Sequence, residues 1–122
     1  MFIFLVAALY GAGPQTVQDL VRWVKADAAG DSCNKKCTAL GRTCNAKRQN
    51  AVNSSATFAA AETAMKKANG PAAGLGCTSY TVSGNNLFSP HQYLNSGNCH
   101  WSTAAVSTCA ASKGPDQRLC CC

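Results

Sequence analysis

The chain has 122 residues, a net charge of +6 and nine cysteines, which limits it to one domain and excludes a large conventional core. Leu, Ile, Val and Phe together number only 20, and ten of these precede residue 30, whereas all nine cysteines fall between Cys33 and Cys122. Burial alone cannot offset a backbone entropy cost of roughly 1–2 kcal/mol per residue in such a segment, so the composition points to a disulfide scaffold made in an oxidising compartment.

No apolar run reaches the length of a spanning helix. Neither GxxxxGK[ST] nor GxGxxG occurs, and the only carboxylates within four residues of each other are Asp27 and Asp31. The expected fold is α+β: a small disulfide-rich domain with two short helices and a few short strands, preceded by an apolar N-terminal segment. Three stretches follow: 1–13 apolar, 14–29 an amphipathic connector, and 30–122 the cysteine-rich module.

Residues 1–13, MFIFLVAALYGAG, have two readings. One is a cleaved secretory signal; the other is a retained segment buried in an assembly or against a membrane surface. As a helix the segment would span only about 20 Å, short of a bilayer core of about 30 Å. Residues 14–26 also read two ways. The helix pattern is cleaner, with Thr16 and Asp19 as a capping box and Val17, Leu20, Val21 and Val24 as a stripe. A strand would instead alternate from Leu20 to Ala26.

Asp31 or Ser32 is expected to cap a helix running to about Leu40, with Gly41 as its left-handed terminus. It carries Cys33 and Cys37 one turn apart, on one face. A second, Ala-rich helix is expected from Ser54 or Ser55 to Ala68, stopped by Asn69, Gly70 and Pro71. Lys66 and Lys67 in its last turn suit the helix dipole. Beyond Gly74, Thr78–Val82 reads as a strand, 83–86 as a turn and Phe88–Trp101 as loop with one short strand. Residues Arg118–Cys122 form a last extended piece.

The cysteine spacings do not suit zinc, since the terminal run lacks a C-x2-C pair and His91 and His100 have no H-x3-5-H partner. No metal and no cofactor is expected, nor is a C-x-x-C redox site. Cys33 and Cys37 on a helix and Cys120 and Cys122 on a strand favour two parallel bridges between those elements. Cys121 then points to the other face, as a thiol that is free, capped or bonded to another chain.

Taken together, Gly30, Cys33, Cys37, Gly41, Cys44, Asn53-Ser54, Cys77, Ser89-Pro90, Gly97, Cys99, Cys109-Ala110, Ser112 and Arg118-Leu119-Cys120 with Cys122 carry a likeness to a known module. In this order and spacing they resemble the cysteine-rich C-terminal module of alpha-1,6-mannosylglycoprotein 6-beta-N-acetylglucosaminyltransferases. The likeness covers about residues 30–122. It implies the bridges Cys33–Cys120, Cys37–Cys122, Cys44–Cys109 and Cys77–Cys99. This sequence departs from the pattern at Cys121, where the family has proline, and in an expanded 44–77 interval. The catalytic domain of that family lies upstream of the module, so the resemblance does not extend to transferase activity.

The expected function is that of a non-catalytic, secreted structural or assembly subunit at an extracellular or cell surface. Residues 1–24 would engage another copy or another extracellular protein. The alternative is a carbohydrate-binding accessory module, with Trp101, Tyr80, Tyr93 and the polar loop Asn85–Asn98 as sugar contacts. A third reading, His91 or His100 as a base near Asp116 or a serine, names no orienting partner, and no catalytic residue is assigned. Nucleic acid is not an expected partner. Asn53-Ser54-Ser55 is a glycosylation sequon.

Overall fold

The structure, a computed structural model, describes residues 22–84 and 86–122. In chain order it contains β1 (Trp23–Lys25), α1 (Cys33–Ala39), α2 (Ala46–Asn50), α3 (Ser55–Asn69), a short 3-10 turn (Pro71–Ala73), β2 (Ser79–Ser83), β3 (His91–Tyr93), β4 (Asn98–Ser102) and β5 (Asp116–Cys121). This is the expected α+β class. The two longer helices are those legible in the sequence.

The strands form one mixed sheet in the order β1-β5-β3-β4-β2, in which β2 runs parallel to β4 and the other neighbours are antiparallel. Side chains alternate across a sheet, so the register assigns each residue to a face. Trp23, Leu119, Gln92, Cys99, Trp101 and Tyr80 share one face, whereas Val24, Cys120, Arg118, His91 and His100 share the other.

The first face is covered by α3. Ser54 caps that helix by accepting from Thr57 N at 3.1 Å, and the Thr57 hydroxyl accepts from Ser54 N at 3.0 Å, a reciprocal capping box. Phe58, Ala61 and Met65, three and four residues apart, pack with Val52, Leu75, Cys99 and Leu119. Burying Phe58 and Met65 contributes about 1.5–3 kcal/mol each. Gly70, at φ 98°, takes the chain out of the helix, and Pro71 prevents its continuation.

On the other face α1 packs against β5. Ser32 caps it by accepting from Lys35 N at 3.1 Å, and Gly41 leaves at φ 69°. The core on this side consists of Val24, Ala26, Cys33, Cys37, Cys120 and Cys122, so four of its six residues are cystine halves. The bridges therefore supply the buried apolar bulk as well as the chain constraint.

Two local expectations are corrected, and one short helix is added. The helix preferred for 14–26 is a strand where it is described. Trp23–Lys25 pairs with Leu119–Cys121, which satisfies backbone groups and puts Val24 among the cystines. Its 14–21 portion lies outside the described residues, as do 1–13 and Asn85. The interval 88–101 holds two strands, β3 and β4, joined through Gly97 N donating to Tyr93 O at 2.8 Å. The interval between Cys44 and Ser54 contains α2, capped by Asn45 accepting from Arg48 N at 2.9 Å.

The outer edge of β1 is covered. Asn69 donates from Nδ2 to Trp23 O at 3.4 Å, while Lys25 Nζ donates to Gly74 O at 3.1 Å and Ala72 O at 3.4 Å. At the opposite margin, among the described residues, β2 has β4 on one side only, and four of its five residues are exposed.

Candidate functional site

The bridges in the structure are Cys33–Cys120, Cys37–Cys122, Cys44–Cys109 and Cys77–Cys99, with Cα separations of 5.3, 5.4, 6.0 and 5.5 Å. These are the four pairs that the resemblance implies. Cys121 is a free thiol, and it is fully buried. Burial pushes its thiol up to about 11, which keeps it protonated and poorly nucleophilic at neutral pH. An intermolecular bond through Cys121, one of the expected alternatives, would require β5 to open first.

The three aromatic residues expected to share a sugar face do not assemble. Tyr80 and Trp101 lie on the α3 face, in register with Cys99 and Val82 respectively. Tyr93 pairs with Asp116 and stands on the opposite face, its ring 4.3 Å from that of His100. Trp101 is half-buried against the α3 core. Tyr80 borders a cleft of about 170 Å³, lined also by Ala59, Glu62, Thr63, Lys66, Gly76 and Cys77. Its hydroxyl donates to Glu62 Oε2 at 3.4 Å, and desolvation followed by the nearby carboxylate raises its pKa. Glu62 also accepts from Gly76 N at 2.9 Å and pairs with Lys66 at 3.6 Å.

Ser89, His91 and Asp116 come together as a row. His91 Nδ1 lies 3.5 Å from Ser89 Oγ, and its Nε2 lies 3.5 Å from Asp116 Oδ2. The residue types are those of a hydrolytic triad, yet all three are at most 2% exposed, so substrate would reach them only if the sheet opened. Desolvation first, then the charges of neighbouring cations, lowers the pKa of His91 to about 3. The imidazole is therefore neutral at pH 7, and its contact with Asp116 is not an ion pair. Desolvation raises the pKa of Asp116 and lowers that of His100. His91 stacks on His100 at 5.1 Å and meets Phe88 and Tyr93 edge-on. The cluster packs as an aromatic core.

Arg118, fully buried beside this cluster, went unnoticed in the sequence as a structural residue. Its Nη1 donates to Thr108 O and Ala111 O, and its Nη2 to Ser107 Oγ and Ser89 O, at 2.5–3.3 Å. Desolvation lowers its pKa to about 10, which leaves it charged at neutral pH. The planar guanidinium thereby ties the irregular segment 103–112 to the sheet. Gln49 has a similar role, its Oε1 accepting from Cys121 N at 3.2 Å and its Nε2 donating to Ser107 Oγ at 3.3 Å.

Asn53 is exposed, and the sequon leads directly into the Ser54 cap. Among the described residues no three of His, Cys, Asp and Glu gather into a metal-binding group. No family model and no curated protein matches the chain.

Proposed function

We propose that this chain is a non-catalytic, secreted structural module, an assembly subunit of an extracellular or cell-surface structure. The observation that carries this reading is the bracing: four disulfides in a domain of this size, two of them tying α1 to the end of β5 and the residue that follows it. Such density belongs to proteins that fold and work in oxidising surroundings. It makes a stiff body on which binding surfaces can be carried without a large hydrophobic core. Residues 1–24 are proposed as the segment that engages a neighbouring copy or another extracellular protein. The likeness to the cysteine-rich module of the N-acetylglucosaminyltransferases supports the same reading, since there the module is an appendage to the catalytic domain.

Sedimentation of the full-length secreted protein without detergent, combined with its intact mass, tests this. The expected result is a particle larger than the 12.7 kDa chain. A monomer that retains Met1 would overturn it. A second reading, a carbohydrate-binding accessory module, is favoured by the Tyr80 cleft, where an aromatic ring, a carboxylate and an ammonium converge. Binding on a glycan array that is lost in Tyr80→Ala would support it, and a blank array would remove it.

A further inference from the structure

We propose that β2 is a self-docking edge through which two copies pair antiparallel, joining their sheets across a two-fold axis at Thr81. The proposal deepens the assembly reading, on which it rests, by naming a surface and a partner. It starts from how sheet edges are normally protected. A lone edge strand presents unpaired N–H and C=O groups and is usually blunted by a charge, a proline, a bulge or a covering element.

β1 has such a cover in Lys25 and Asn69. Among the described residues β2 has none of these devices: its sequence, Ser79-Tyr80-Thr81-Val82-Ser83, holds no charge and no proline, and it pairs with β4 residue for residue from Ser79 to Ser83 without a bulge. The neutral zone extends much further, since no Asp, Glu, Lys or Arg occurs between Lys67 and Lys113.

That neutrality argues for a second copy as the occupant. All eleven Lys and Arg lie outside this run, so two chains of charge +6 repel through most of their surfaces. β2 is a place where like molecules can approach without setting cation against cation. The nearest lysine on α3 by the Tyr80 cleft, Lys66, is already matched by Glu62.

The strand is also self-complementary. A two-fold axis at Thr81 places Ser79 opposite Ser83 and Tyr80 opposite Val82 on each side, an aromatic against a β-branched residue, which is a favourable cross-strand pair. Tyr80 and Val82 are 38% and 55% exposed in the single chain, so both gain burial. On the other face Ser79, Thr81 and Asn98 already form a hydrogen-bonded row, which holds the strand extended for a partner. One pair of five-residue strands is a small interface, so the association is weak for isolated molecules and gains when copies are linked by a second contact.

The test uses the full-length chain over concentrations from about 10 µM to about 1 mM, by sedimentation and by hydrogen exchange of the Ser79–Ser83 amides. Association that rises with concentration, together with slower exchange of those amides, is the expected result. Thr81→Lys opposes two ammonium groups at the axis and should weaken association at least about tenfold. Thr81→Ala, which loses the same contacts with Asn98 but adds no charge, should associate like the unmodified protein. A native disulfide mass and unchanged circular dichroism establish that the variants fold. Association that Thr81→Lys leaves intact, or β2 exchange that ignores concentration, overturns the proposal. A large particle that Thr81→Lys does not change leaves assembly through residues 1–24 standing and removes β2 pairing. A dimer that Thr81→Lys splits into monomers does the reverse.

Discussion

At one margin of the sheet, Trp23–Lys25 is held by two cystines behind it and by Asn69 and Lys25 across its open side; at the other, Ser79–Ser83 stands exposed with one cystine, Cys77–Cys99, beside it. Both are short strands with a single neighbour among the described residues. The difference is what the chain places around them. On the β1 side covalent bonds and side-chain caps close the edge. On the β2 side the strand itself carries no charge, the nearby Lys66 is matched by Glu62, and backbone groups are left available. A small domain can thus seal one edge and offer the other, using cysteine placement and charge placement together.

The largest expected effect breaks the closed side. Replacing Cys33, Cys120, Cys37 and Cys122 with alanine removes bridges that span 87 and 85 residues and empties the cystine core, and should cost at least about 4 kcal/mol, enough to unfold α1 and β1. Removing Cys77–Cys99, which spans 22 residues, should cost about 3 kcal/mol and leave the β1 side folded. Urea unfolding with mapping of the remaining disulfides checks the order; equal losses would refute it.

Acid should loosen the sheet between its two edges. His91 has a folded pKa of about 3 against an ordinary value of 6.5, so the unfolded chain binds the extra proton as pH falls through that window. Stability is therefore full above about 6.5 and is lost toward 3, by about 3 kcal/mol at pH 4 from His91 alone. Asp116, with its pKa raised, acts in the opposite sense, losing stability as pH rises from 3.8 through its folded value. Thermal melts from pH 7 to 4 should show the decline, and His91→Phe should flatten it.

The smallest effect sharpens the contrast. Lys25→Ala with Asn69→Ala should cost about 1 kcal/mol through lost hydrogen bonds and, by uncovering Trp23 O, make the β1 edge as available as β2. A new, salt-sensitive self-association is the expected readout.

Much of this was legible beforehand, and for local reasons. The Ser54 cap and the Gly70-Pro71 stop are written within a few residues of the helix they bound, as are Ser32 and Gly41 for α1. The grouping of Cys33 and Cys37 against Cys120 and Cys122 followed from helix and strand periodicity, and the individual pairs from the resemblance. What was not legible depends on distant residues. β1 is a strand because β5, almost 100 residues later, pairs with it; β3 reads His-Gln-Tyr, too polar for a strand signal, and is buried by a ring cluster gathered from several segments. The proposed sugar residues failed to assemble for the same reason, since register alone decides that Tyr93 turns away from Tyr80 and Trp101.

The pairing of residue 37 with 122 also sets a schedule for the newborn chain. At about 5–20 residues per second, Cys37 waits roughly 4–17 seconds after its own synthesis before its partner exists, while thiol oxidation proceeds over seconds to hours. Throughout that interval Cys33, Cys37 and Cys44 are near neighbours and free to oxidise with one another. Yield in the cell is then a race between translation and premature oxidation, and the protein's output should follow the capacity of the host to reshuffle bridges more closely than the strength of any contact in the finished fold.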